Sequence, residues 1–190
     1  SKSLISSIVD LATKRKVPCI VDPKGKDFSR YSGCTVITPN YQEACVALGL
    51  NPNDNSYSNK QIACQLQQKF SLNHVLLTLG SEGMILCPQE TPKNCLHLKS
   101  KAREVFDVSG AGDTVAAILG LSLASKESVE TSMQIANTAA GRVVEKKGTK
   151  PILSEELRDE LKSLSPSEEK IIDEKSLHLW LEKIRQEKTR

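Results

Sequence analysis

The chain has 190 residues, with 26 Lys plus Arg against 23 Asp plus Glu, so its formal charge is only +3. That length suits one domain of ordinary size, and so small an excess excludes a nucleic-acid surface driven by net charge. The charge is unevenly spread: residues 154–190 carry ten acidic and eight basic side chains and no Gly, which leaves 1–153 at +5.

In chain order, Leu4, Ile5, Ile8, Leu11 and Ala12 fall on one face of a helix over 4–15. The opening residues lack the charged, apolar and cleavage regions of a signal peptide. Val17–Val21 is an apolar run closed by Asp22-Pro23, and Thr35–Thr38 is closed by Pro39, so both read as buried strands stopped by proline. Asn40 opens a helix to about Leu48, with Gly49 as its C-terminal cap. Ser58 opens another, carrying Ile62, Leu66 and Phe70. His74–Leu79 has strand length, followed by the turn Gly80-Ser81-Glu82-Gly83, a strand over Met84–Cys87 and a short extended piece over Asn94–Leu98. Two helices, roughly 112–124 and 128–146, precede Gly148. Their longest strongly apolar stretch, Val115–Ala124, is too short to span a membrane.

After Leu153 the character changes. A polar helix over Ser154–Leu164 meets a break at Ser165-Pro166-Ser167. A second amphipathic helix follows through Leu177, Leu179, Trp180, Leu181 and Ile184. The expected organisation is a domain over 1–153 and a charged helical tail over 154–190.

Strands alternating with helices through residue 79 predict an α/β fold: a mostly parallel sheet with helices on both faces, and an antiparallel hairpin at one edge. The six cysteines, at 19, 34, 45, 64, 87 and 95, include no Cys-x-x-Cys pair and read as buried thiols of a reducing cytosol. With His only at 74, 97 and 178, no zinc site is expected.

Ligands of such sheets gather at the carboxyl ends of the strands. Asp22, Thr38-Pro39-Asn40, Thr78-Leu79-Gly80 and the glycines near 110 all fall there. The strongest signal is Asp107-Val108-Ser109-Gly110-Ala111-Gly112-Asp113-Thr114, running into an apolar helix. Amides of Gly110, Ala111 and Gly112 at a helix mouth form an anion site. A carboxylate inside that site competes with the anion unless Asp113 removes a proton from a hydroxyl that attacks a phosphoryl group. The plainer alternative is a tight turn with an acidic helix cap. A P-loop is excluded by the missing Gly-Lys-Ser/Thr ending, and Val115 stands where a dinucleotide fingerprint needs its third glycine.

Asn40-Tyr41-Gln42-Glu43 reads as a capping box, with Glu43 also suited to a water-mediated Mg²⁺ shell. Thr78, Gly80 and Gly83 make either a β-turn or the floor of a nucleotide site. Asn137 either lines a base pocket or satisfies a nearby carbonyl. Lys24, at a strand end, either faces a phosphate or stays solvated.

Asn40-x-x-Glu43, Thr78-x-Gly80-x-x-Gly83 and Asp107-x-x-Gly110-Ala111-Gly112-Asp113, in that chain order, resemble the landmarks of the ribokinase-like sugar kinases of the PfkB family, with Ser109 where Thr is common. The resemblance implies a ribokinase-like layered fold lacking its N-terminal part, which holds the lid and most sugar contacts. It implies ATP and Mg²⁺ as cofactors, Asp113 as base, and an anion hole at Gly110, Ala111 and Gly112. Glu43 then supports the metal, and Asn40, Thr78, Gly80, Gly83, Asn137 and Lys24 bind nucleotide. Val21 to Gly33, Thr38-Pro39-Asn40 and Ala136-Asn137 through Gly148-Thr149 look like the heptose 7-phosphate kinases of that family. Those enzymes phosphorylate the anomeric hydroxyl to the 1,7-bisphosphate for lipopolysaccharide core assembly. Glu169 to Arg190 resembles a connector toward a nucleotidyltransferase domain, so the expected parent is bifunctional, cytoplasmic and homodimeric, with no nucleic-acid or membrane partner. The fragment alone is expected to be weak or inactive. The rival readings are another sugar kinase of the family and a non-catalytic nucleotide-binding or assembly module.

Overall fold

The apolar runs that end in proline become the parallel half of a five-stranded sheet. A computed structural model describes residues 2–164, apart from 55, 90–93, 103–104 and 149. The helix expected through Trp180 and the break at Ser165-Pro166-Ser167 lie outside the described residues.

The elements run α1 (Lys2–Lys14), β1 (Ile20–Val21), β2 (Val36–Ile37), α2 (Tyr41–Leu48), α3 (Asn59–Phe70), β3 (His74–Thr78), β4 (Met84–Pro88), β5 (Leu96–Leu98), α4 (Ala111–Ala124), α5 (Val129–Val144) and α6 (Ser154–Leu164). Strand order follows chain order. β1, β2 and β3 are parallel, with Ile20 opposite Val36 and Ile37 opposite Val75. β4 and β5 are antiparallel, with Leu76 opposite Leu86 and Ile85 opposite His97.

β1 is shorter than the apolar run that announces it. The Val17 amide closes the end of α1 on the Ala12 carbonyl at 2.9 Å, and Pro18 has no amide to give a ladder. The Cys19 carbonyl still accepts from the Thr35 and Val36 amides, at 2.8 and 3.2 Å, and the regular ladder is left to Ile20 and Val21.

Side chains alternate across β3 and β4. Val75, Leu77, Ile85 and Cys87 join one core with Ala44, Ile62 and Leu66 of α2 and α3. Leu76 and Leu86 are equally buried but face the other way. There α4 packs along α5, and the pair reaches β1 and β4. Each fully buried Leu or Ile in these layers contributes about 1.5–3 kcal/mol relative to exposure.

The chain divides into two compact units, Ser1–Leu153 and Ser154–Arg190. Of the second, α6 is described: an amphipathic helix with Glu155 and Glu156 in its first turn, where acidic groups complement the helix dipole. No helix among the described residues is long and apolar enough to cross a membrane.

Within the first unit, the carboxyl ends of β1, β2 and β3 open beside the start of α4. Asn40 and Thr78 bridge there, with the Thr78 amide donating to the Pro39 carbonyl at 2.9 Å.

Candidate active site

The start of α2 builds one wall. Asn40 caps the helix by accepting from the Glu43 amide at 2.9 Å, and Glu43 Oε2 accepts from the Asn40 amide at 2.9 Å. That reciprocal box fixes the Glu43 carboxylate in place. Its other oxygen, Oε1, accepts from Lys24 Nζ at 2.8 Å, and the same ammonium lies 3.1 Å from Asp22 Oδ2. Hydrogen bonds donated to Glu43 and then to Asp22 hold the Lys24 ammonium above its ordinary pKa. Lys24, expected either to face a phosphate or to stay solvated, keeps 70% of its side chain exposed while its ammonium spans two carboxylates. The cause is local charge: the end of β1 sets Asp22 opposite Glu43, and the nearest flexible cation collapses between them. The Lys24 backbone is held too. Its amide donates to the Tyr31 hydroxyl at 3.2 Å, and its carbonyl accepts from the Arg30 guanidinium.

The start of α4 builds the facing wall. Gly110 is the N-cap with φ of +81°, a left-handed conformation that a side chain would resist. Asp107 Oδ1 accepts from the Ser109 amide at 2.8 Å, which holds its carboxyl below the usual carboxylate range. Thr114 donates to the Gly110 carbonyl through both its amide, at 2.9 Å, and its hydroxyl, at 2.8 Å. The Ala111 amide is already engaged with the Val108 carbonyl at 3.2 Å, so this turn draws Ala111 out of the expected trio of anion donors. No side chain caps α4, which leaves the Gly112 and Asp113 amides at its positive end. Asp113 is exposed on that first turn and forms no ion pair with the described residues.

Two cavities meet between these walls. A small polar one of about 210 Å³ is lined by Asp22, Lys24, Thr38, Glu43, Gly110 and Asp113, among others. A larger one of about 590 Å³ is bounded by Gly80, Gly83, Val105, Val108, Asn137 and Ala140, among others. Asn40, Thr78 and Gly112 belong to both. The larger volume lies in the range of small-molecule and cofactor sites. Every residue singled out in the sequence as a site candidate thus borders one cavity or the other.

Several of them have structural duties as well. Asn137 is buried, and its Nδ2 donates to the Lys99 carbonyl at 2.8 Å, which satisfies the carbonyl and orients the amide. Gly83, with φ of +89°, admits the chain's own backbone: a Cβ there would lie 2.0 Å from the Leu98 carbonyl oxygen. Its need for glycine therefore comes from the end of β5 and the two residues after it. Asp22 and Thr38 were visible only as strand-end residues, and nothing local assigned them a site. The apolar walls at Val105, Val108, Ala140 and Val144 carried no signal, because a pocket-facing valine and a core valine read alike.

Comparison with known proteins gives a consistent picture. The pfkB family carbohydrate kinase model matches residues 2–156. The chain is 38% identical over 182 residues to the bifunctional protein HldE of Yersinia pestis (strain Pestoides F), covering 96% of this chain and 37% of that protein. HldE of Yersinia pseudotuberculosis serotype O:1b matches at the same identity and coverage. The chain therefore spans little more than a third of the length of these relatives. Among solved structures, Arabidopsis thaliana ribokinase complexed with ribose and ATP is 25% identical, with a TM-score of 0.70 over 88% of this chain and 54% of that one. Escherichia coli phosphofructokinase-2 in complex with potassium is 20% identical, with a TM-score of 0.72 over 87% and 53%, and shares the fold.

Proposed function

Because this chain belongs to the pfkB family of carbohydrate kinases, with a ribokinase-like fold, we propose that it forms the nucleotide-binding half of an ATP-dependent sugar kinase. The acceptor on this reading is the anomeric hydroxyl of heptose 7-phosphate, within a bifunctional parent resembling HldE. The observation that carries it is the junction of the two cavities at Asn40, Thr78 and Gly112, with Asp113 on the polar side. The apolar cavity takes the nucleotide base and ribose, and the γ-phosphoryl group reaches the polar end.

Asp113 acts there as general base. Its carboxylate takes the proton of the sugar hydroxyl as that oxygen attacks the γ-phosphorus and ADP leaves. The Gly112 and Asp113 amides, at the positive end of α4, stabilise charge on the transferring oxygens. Asn40 and Thr78 fix the two strand ends on which this geometry rests.

The donor set suits Mg²⁺, since Asp22 and Glu43 offer hard carboxylate oxygens and already gather a cation, the Lys24 ammonium. Glu43 would hold the ion through water, which keeps its capping bond to Asn40, and Lys24 would turn outward. When bound, the ion neutralises phosphate charge. On this reading the parent is a cytoplasmic homodimer.

The test is ADP release by the full-length protein with heptose 7-phosphate, ribose and fructose phosphates offered separately. Turnover with heptose 7-phosphate at least tenfold above the others is expected. Preference for another sugar would reassign the substrate within the family, and ATP binding without turnover on any sugar would contradict a kinase.

A further inference from the structure

Three cysteines distant in sequence meet beside the β4–β5 hairpin, and none of them lines either cavity. Cys64 projects from α3, Cys87 from β4, and Cys95 stands one residue before β5. Cys64 Sγ lies 3.3 Å from Cys95 Sγ and 3.6 Å from Cys87 Sγ. All three sulfurs fall within 4.8 Å of one another. A metal held by three thiolates at about 2.3 Å sets its sulfurs roughly 3.8–4.0 Å apart. The two Cys64 separations fall about 0.2–0.7 Å short of that spacing, a gap that small side-chain rotations close. Core packing accounts for a buried cysteine, but it does not require three sulfurs from three elements to converge on one point.

We propose that Cys64, Cys87 and Cys95 form a site for a soft d¹⁰ cation, Cu(I) or Zn(II), held by three thiolate sulfurs. On binding, three sulfur–metal bonds form and three thiol protons pass to solvent. Without a cation, burial keeps the thiols protonated: it pushes Cys95 up to about 11 and Cys87 higher still. A bound cation reverses that balance by supplying the charge that water cannot. Lys60, one turn before Cys64, acts in the same direction on Cys95. Cys64 is only half-buried and offers the way in.

Among the described residues no His, Asp or Glu joins the trio. An all-sulfur, three-coordinate set suits Cu(I), while Zn(II) would complete its shell with water on the Cys64 side. The site would clip α3, β4 and the approach to β5 together. β5 ends at Leu98 and continues into Lys99 and Ser100, which pack on Gly83, and the Lys99 carbonyl binds Asn137. Metal loading would therefore stiffen the rim of the larger cavity.

The experiment titrates the reduced, metal-free protein with Cu(I) against a chromophoric chelator, and separately with Zn(II) against a zinc indicator. At least one ion is expected to bind at one equivalent, with a sulfur-to-metal charge-transfer band and a rise in melting temperature. The two arms decide which ion it is. Cys64→Ala, on a partly exposed helical position where Ala is well tolerated, should weaken binding by about 100-fold or more. Cys95→Ala should do the same, while Cys19→Ala leaves binding unchanged. Failure of both ions to bind at one equivalent would overturn the proposal. So would equal binding by the parent, Cys64→Ala and Cys95→Ala proteins.

Discussion

The two cavities share three residues and little else. The smaller is walled by charge, with Asp22, Glu43 and Asp113 around a single lysine; the larger is walled by Val105, Val108, Val115 and Ala140. The polar end is built at helix starts, where orphan amides and capping side chains are concentrated. The apolar end is built from helix interiors, the hairpin and the loop before α4, which carries Val105 and Val108. This contrast teaches that substitutions at the two ends should fail differently, with chemistry lost at one and nucleotide binding or folding lost at the other.

The largest break is expected at the polar end. Asp113→Asn in the full-length enzyme should lower turnover by about 10²–10⁴-fold, the usual worth of a positioned base, with little change in ATP affinity. Steady-state kinetics beside nucleotide titration checks both halves. At the apolar end, Gly83→Ala drives a Cβ into the Leu98 carbonyl at 2.0 Å. It should cost about 3 kcal/mol, read from urea denaturation, with the hairpin losing amide protection first.

Asn40→Ala removes the acceptor for the Glu43 amide and should cost about 1 kcal/mol, measured by thermal melting. Lys24→Met separates two roles for that lysine. If it serves mainly to neutralise Asp22 and Glu43, the Mg²⁺ needed for half-maximal activity should fall by about two- to fivefold, the scale of an exposed ion pair. If it serves the nucleotide instead, the KM for ATP should rise and the Mg²⁺ dependence stay put.

The smallest effect at neutral pH concerns buried thiols. Burial holds Cys34 neutral up to about 12 and Cys95 up to about 11, against an ordinary 9.0 in the unfolded chain. Their contribution is complete below pH 9 and lost as pH rises through 11 to 12, because only the unfolded chain ionises readily in that window. A fall in melting temperature confined to pH above 9, and reduced by Cys34→Ala, is the expected result.

Much of this was legible because it is local. Prolines after apolar runs marked where β1 and β2 stop. Asn40 with Glu43, and Ser58 as the cap of α3, marked helix starts that the hydrogen bonds reproduce. What stayed hidden depends on the sheet's assembly. Asp22 and Glu43 are 21 positions apart and become neighbours only when β1 and β2 pair. Gly83 looks like a turn glycine until the end of β5 and the two residues after it cross it. Cys64, Cys87 and Cys95 follow no metal-ligand spacing, since their elements meet only through tertiary packing, so the expectation of scattered buried thiols missed their convergence. The short β1 also escaped notice, because an apolar run does not reveal that its first amide is taken by the helix before it.

The division of labour between the two ends is tested most directly by nucleotide binding and phosphoryl transfer, measured side by side in two full-length variants. Ala140→Leu, which places bulk in the larger cavity, should weaken ATP binding by about tenfold or more, roughly the reach of a few lost methylene contacts, while turnover at saturating ATP survives. Asp113→Asn should bind ATP like the parent and transfer almost nothing. The opposite pattern, with nucleotide lost in Asp113→Asn and transfer lost in Ala140→Leu, would contradict the assignment of base and nucleotide to these two ends.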